Sequence, residues 1–207
     1  MAESTRGLDT RADKQNNPSS SESGQQHLLV IGIDAYQNGV PPLNNAVRDA
    51  RRFYDLMLEK YNFAPSTSRL LLDKEATRAD IVQAFGDLAA QLTAADNLVF
   101  YFSGHGHLDT ATQHGYWLPV DATMGKIGTY LGNEEVLKFV KSTKAKHVFG
   151  IVDSCYSGSL FVTRALTETT KRLYSIPSTW LLTSGRKELV SYGSLEDQSP
   201  FLLSLWA

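Results

Sequence analysis

Two residues in this sequence have the types and surroundings for covalent chemistry. Cys155 is the only cysteine among 207 residues, and His105 stands between Gly104 and Gly106. The thiolate is the attacking form of cysteine, and an ordinary thiol is mostly protonated at neutral pH. A neighbouring imidazole can take that proton, or pair with the thiolate as imidazolium, and later protonate a leaving amine. Acyl transfer also needs donors for the developing oxyanion, and the backbone N–H groups of Gly106 and Cys155 are candidates. The glycines around His105, and Gly158 three residues beyond Cys155, let the chain turn sharply and let a substrate backbone come close.

Each residue has a plainer reading when taken alone. A lone cysteine is usually a small buried hydrophobe, and residues 103–107, Ser-Gly-His-Gly-His, can be a polar turn after a strand. His105, His107 and His114 could also approach a zinc ion, although no fourth ligand is evident. The position of the Cys-His pair within the element pattern favours the covalent reading.

The elements that must position the pair can be read from apolar runs and their period. Residues 28–33 form a short apolar run expected to be a strand buried on both faces. Val47, Ala50, Tyr54, Met57, Leu58 and Tyr61 recur at helical spacing. Residues 69–72 predict a second strand. Thr77 with Asp80 resembles a capping box opening a helix through Leu92. Residues 97–102 predict a third strand, directly followed by Ser-Gly-His-Gly, and residues 116–120 an extended segment. Asn133 is the expected cap of a helix to about Ser142. Residues 147–152 predict a fourth strand, followed by Asp-Ser-Cys, and residues 179–183 a fifth. Alternating strands and helices predict an α/β fold: a three-layer sandwich with a mostly parallel sheet and helices on both faces. Such sheets bind ligands beyond the carboxyl ends of their strands. His105 and Cys155 each follow such an end, so neighbouring third and fourth strands would bring them to one edge.

Bulk properties narrow the function classes. The net charge is −2 with acids and bases nearly balanced, and no long basic run suggests a nucleic-acid partner. No apolar run is long enough to span a membrane. The N-terminus lacks a signal-peptide core, which makes the cytosol the expected compartment. A single cysteine excludes an internal disulfide and a multi-cysteine zinc site. Residues 1–26 are polar, with little to bury, and are expected to be disordered; residues 27–207 are expected to form one domain.

Residues 99–106, Val-Phe-Tyr-Phe-Ser-Gly-His-Gly, and 151–158, Ile-Val-Asp-Ser-Cys-Tyr-Ser-Gly, resemble the two catalytic motifs of the caspase-like cysteine peptidases. Within that group the pattern is most similar to metacaspases and bacterial caspase-like proteases. Residues 31–36 and 43–50 resemble the group's first strand and first helix, and the likeness runs from about Leu28 to Phe201. The resemblance implies a caspase-like sheet and endopeptidase activity through a Cys155–His105 dyad with no required third member. The alternative is a caspase-fold binding or signalling module that is inactive or held as a precursor. Another hydrolase or transferase using the same pair also stays open.

The resemblance also bears on specificity. Caspases that cut after aspartate place an arginine where this chain has Leu43. Metacaspases hold an Arg or Lys with two acids, and the matching positions are Asp49 and Asp153, which implies cleavage after Arg or Lys. Taken alone, Asp49 reads as a solvated acid on a helix face. The region corresponding to a metacaspase calcium cluster is Asn133, Glu134 and Glu135, with another position near Val162. That set looks depleted for calcium, so no metal or other cofactor is expected. Arg164, Lys171 and Arg172 lie in a polar stretch where self-cleavage would match the same pocket. Relatives usually continue past residue 201 with another helix and strand, so a further C-terminal region or a partner subunit is expected to complete the sheet.

Overall fold

The computed structural model describes residues 24–154 and 178–184. Five strands form one parallel sheet: β1 (Gln26–Gly32), β2 (Ser68–Leu72), β3 (Asn97–Ser103), β7 (His147–Asp153) and β8 (Ser178–Thr183), in the order β2-β1-β3-β7-β8. A second, antiparallel sheet holds β4 (Gly106–Asp109), β5 (His114–Trp117) and β6 (Leu131–Gly132). The helices are α1 (Ala46–Lys60), α2 (Arg78–Gln91) and α3 (Asn133–Ser142). The five expected strands are all present, each within two residues of its expected limits.

The period of two along each strand divides the core into two layers. Leu28, Val30, Tyr101 and Ile151 face α1 and pack with Ala50, Phe53 and Met57. Leu29, Ile31, Phe100, Phe102, Val148 and Val152 face the other way, onto Ile81, Ala84 and Phe85 of α2 and Val136 and Val140 of α3. The expected three-layer α/β architecture with helices on both faces is therefore present. Gly32 lets α1 lie close to the sheet, because a Cβ there would stand 2.5 Å from the Ala50 Cβ.

Local chemistry explains the element limits, and three expectations need correction. Thr77 caps α2 as expected, its hydroxyl accepting from the Asp80 N–H. Asn133 does not cap α3; it is the first residue inside the helix and is buried, and Gly132 holds the cap position. Tyr61 does not continue the buried stripe of α1. It follows the last helical residue and is 59% exposed, whereas Phe53 fills the core position. The first strand also begins earlier than the expected boundary, at Gln26. Gln25 already donates its N–H to Asp96 at 2.7 Å and accepts from the Asn97 N–H. Among the described strands β8 stands last in the sheet. No helix among the described residues is long and apolar enough to cross a membrane.

Candidate active site

The strands that lead to the two motifs are neighbours. β3 and β7 pair in parallel, and their last partners are Ser103 and Asp153. The Gly104 N–H continues the ladder by donating to the Asp153 carbonyl at 3.3 Å. The chain then leaves the main sheet through His105 and enters β4, which turns back through β5. Trp117 of β5 stacks on Phe102 of β3 at 4.3 Å, with both rings fully buried. That contact ties the small sheet to the core directly beside His105, and such aromatic pairs add about 0.5–1.5 kcal/mol beyond area burial.

Three contacts hold His105. Its backbone N–H donates to the Tyr36 hydroxyl at 2.7 Å. Its carbonyl accepts from the Leu118 N–H at 3.0 Å. Its ring Nε2 lies 3.0 Å from the Pro41 carbonyl oxygen. A carbonyl can only accept, so Nε2 carries the proton and the lone pair of the neutral ring is on Nδ1. The Tyr36 ring also packs against the imidazole, with centroids 4.9 Å apart. Burial lowers the imidazole pKa below its ordinary value, and the Pro41 contact opposes this in part. The neutral form suits a base that must accept a proton near pH 7.

Gly104 is required by this arrangement. A Cβ there would stand 2.6 Å from the Tyr36 hydroxyl oxygen and 3.0 Å from Phe102. Gly106 pairs with Trp117 on β5, and the Leu118-to-His105 bond makes that pair a non-hydrogen-bonded one. The Gly106 N–H is therefore directed away from β5, as an oxyanion donor would need to be.

The loop carrying Tyr36 and Pro41 is itself held by carboxylates. Asp34 caps α1, its two oxygens accepting from the N–H groups of Ala46 at 2.9 Å and Val47 at 3.1 Å. Burial raises the Asp34 pKa, the two backbone bonds oppose this, and the nearby charges of Asp73 and Asp49 add to the rise. Asp73 accepts from the N–H groups of Asp34 and Ala35, both at 2.8 Å, and adopts φ +45° to do so. Asn38 and Gly39, both at positive φ, turn the loop back toward the Val120 and Asp121 carbonyls.

Asp49 and Asp153 are brought to the same layer. Asp153 follows Ile151 at the sheet's period of two, and Asp49 lies on the buried side of α1, one turn before Phe53. Their exposures are 1% and 0%, so Asp49 is not the solvated helix acid of the plain reading. Tyr101 and Ser103, both buried, lie on that layer as well. Leu43 sits in the loop before α1, half-buried, with its N–H bonded to the Asp34 carbonyl.

The other sequence candidates separate in space. His107 packs against Tyr130 and Tyr116, and His114 lies 3.2 Å from Glu134. With His105 on Tyr36 and Pro41, the three histidines do not converge on a zinc site. Among the described residues no group of three or more His, Cys, Asp or Glu could hold a metal. Glu135 lies 2.7 Å from Arg78, which also donates to the Tyr130 carbonyl. Cys155, Val162, Arg164, Lys171 and Arg172 lie outside the described residues. Sequence reasoning missed Tyr36, Pro41, Asp34 and Tyr101. Asp34 and Tyr36 lie in the segment 31–36 and Tyr101 in the motif 99–106, but their roles as a distant cap, a backbone acceptor and a core phenol, like the Pro41 carbonyl contact, have no local pattern.

Comparisons with known proteins bear on the family and the fold. The family model described as the caspase domain matches residues 25–207. Metacaspase-1 of Plasmodium falciparum is 30% identical over 153 residues, covering 67% of this chain and 25% of its own length. Metacaspase-2 of Arabidopsis thaliana is 28% identical over 151 residues, 66% of this chain and 35% of its own length. The chain thus spans about a quarter to a third of these two curated relatives. A crystal structure of a Geobacter sulfurreducens protein superposes with a TM-score of 0.54 at 26% identity, over 65% of this chain and 52% of that one. Caspase-1 of Spodoptera frugiperda superposes with a TM-score of 0.60 at 12% identity, over 88% and 68%, which is a likeness of fold.

Proposed function

The chain belongs to the caspase-domain family of cysteine peptidases, and on that premise we propose that it is an endopeptidase cutting after Arg or Lys through Cys155 and His105. The observation that carries this reading is the register of β3 on β7. Ser103 is opposite Asp153. His105 and Cys155 follow two residues later in the two chains, and the shared end of β3 and β7 supports the proposal that they act together. Parallel neighbours are about 4.8 Å apart, close enough for side chains after two adjoining strand ends to come within hydrogen-bond reach of each other.

In the proposed reaction His105 Nδ1 takes the thiol proton while Nε2–H stays on the Pro41 carbonyl. The thiolate adds to the scissile carbonyl, and the oxyanion is met by the Gly106 and Cys155 N–H groups. Collapse breaks the C–N bond, with the proton returned from His105 to the departing amine. Water then releases the acyl group and regenerates the thiol. Asp49 and Asp153 would hold the guanidinium or ammonium of the residue before the cut; both are buried, where charge pairing is strong and unpaired charge is costly.

The accompanying proposals are smaller. Arg164, Lys171 and Arg172 are proposed sites of self-cleavage, in keeping with the same specificity. We propose action on protein or peptide substrates in the cytosol, without nucleic acid, membrane or metal cofactor, and with a partner subunit against the sheet. The partners of Glu134 and Glu135, His114 and Arg78, support the calcium-free reading.

Matched peptide reporters ending in Arg, Lys, Asp or Leu test the function, with Cys155→Ala as control. Turnover of the Arg and Lys reporters that vanishes with Cys155→Ala is the expected result. Turnover of the Asp reporter would keep the peptidase and remove the pocket assignment. No turnover of any reporter, with or without calcium, would favour the binding-module alternative.

A further inference from the structure

Tyr101 is a buried phenol that the proposed acyl chemistry does not use. It lies on β3 two residues before Ser103, in the α1 layer, and is 0% exposed. Its ring stacks on Phe53 at 4.7 Å and 17°. Phe53 is one helical turn beyond Asp49, on the same side of α1. Ser103 is the register partner of Asp153. The phenol thus shares the α1 layer with both carboxylates and feels the charge of each. Burial holds it in the neutral form, and the negative charges of Asp153 and Asp49 act in the same direction. The Tyr101 and Ser103 hydroxyls lie close enough to interact, yet neither completes a full hydrogen bond to a described residue. Buried hydroxyls left in that condition are costly and uncommon. A site that binds a ligand rich in donors gives them a reason to be there.

We propose that Tyr101 is a specificity-determining residue of the basic pocket, its hydroxyl forming the floor and selecting arginine over lysine. This rests on the assignment of Asp49 and Asp153 made above. The argument is a count of donors. A guanidinium has five N–H groups in one plane, and two carboxylates bound in bidentate fashion use four of them. The fifth needs an acceptor deeper in the proposed pocket, a role the phenol oxygen can take while its O–H donates toward Ser103 Oγ. An ammonium has three N–H groups, which two carboxylates can absorb, so it gains little from the phenol.

The test uses the full chain carrying Cys155→Ala, so that bound peptides are not cut. Binding of acetylated tripeptide amides ending in Arg, Lys or Leu is measured by titration calorimetry, with and without Tyr101→Phe. The replacement keeps the ring stacked on Phe53 and removes only the oxygen. The Arg peptide is expected to bind about tenfold tighter than the Lys peptide. Tyr101→Phe should weaken Arg alone and bring the two within about twofold to threefold. Basic peptides that bind better than Leu, with an Arg-to-Lys ratio unmoved by Tyr101→Phe, would overturn this inference and leave the pocket assignment standing. Basic peptides no better than Leu would remove the assignment and the inference together. Equal affinity for Arg and Lys with Tyr101 intact would overturn the inference whether or not the second variant folds.

Discussion

His105 Nε2 lies 3.0 Å from the Pro41 carbonyl oxygen, a contact between a strand end and the loop after β1 that fixes one tautomer of the imidazole. Burial lowers the pKa of the ring, and with the proton on Nε2 the lone pair of the neutral form is on Nδ1. Its pKa in the folded chain should therefore fall below the ordinary value of about 6.5. An NMR titration of the ring in Cys155→Ala, where no thiolate can pair with it, should show this. A midpoint at or above 6.5 would refute the burial argument. The same shift has a stability consequence. A depressed histidine pKa contributes stability that is fully present above the unfolded value and lost as pH falls toward the folded one. Melting temperature should decline as pH drops below about 6.5, and less steeply in His105→Gln.

Gly104→Ala should damage catalysis more than stability. Its Cβ would meet the Tyr36 hydroxyl oxygen at 2.6 Å, and the Tyr36 ring would have to move. That motion breaks the bond from the His105 N–H and shifts the ring packed on the imidazole. Overpacking of this kind costs about 1–3 kcal/mol. A misplaced catalytic group can cost about a hundredfold in rate. Turnover of an Arg reporter should drop by that order while thermal unfolding stays cooperative. Tyr36→Phe, which loses the bond and keeps the ring, should fall by less.

The main sheet was legible in the sequence because its strands are continuous apolar runs, which only burial on both faces explains. The pairing of 97–102 with 147–152 entered the sequence reading only as the condition for bringing the Gly-His-Gly and Asp-Ser-Cys segments to one edge, and the register of β3 on β7 meets that condition. The small sheet was not legible as a unit. Only 116–120 read as extended; β4, Gly-His-Leu-Asp, is too short and polar to show a period, and β6 has two residues. Taken alone, Asp49 read as a surface acid because a local view sees three arginines around it, and only the resemblance placed it in a pocket; α1 turns that position to the core. Long-range caps and carbonyl contacts leave no local pattern, so Asp34 and Pro41 became visible only in the fold.

Asp34 offers a test that separates a cap from a charge. Both its oxygens accept from the first turn of α1, yet burial raises its pKa, so the negative charge itself is disfavoured. Asp34→Asn keeps one acceptor and removes the charge, and it should unfold near the parent temperature. Asp34→Ala removes the cap and should cost about 1–2 kcal/mol. For a chain of this size that is about 2–8 °C in melting temperature. Equal losses in the two variants would show that charge, not capping, holds the helix end.

The two buried acids should separate specificity from nucleophile reactivity. Asp49 and Asp153 come from different elements, α1 and β7, and meet in one layer beside Ser103. If they hold a substrate cation, removing either charge leaves that cation buried with one partner. Losses of about 2–5 kcal/mol are typical when one member of such a pair is truncated. Asp49→Asn and Asp153→Asn should each lower kcat/KM for Arg and Lys reporters by at least about thirtyfold, the lower end of that range. Reaction of Cys155 with a small neutral alkylating agent should change little, because the thiol and His105 are untouched. A basic-residue chloromethyl ketone should lose its advantage over that agent in both variants. Parallel loss of both reactivities would mean that the acids support the fold around the nucleophile and do not select the substrate.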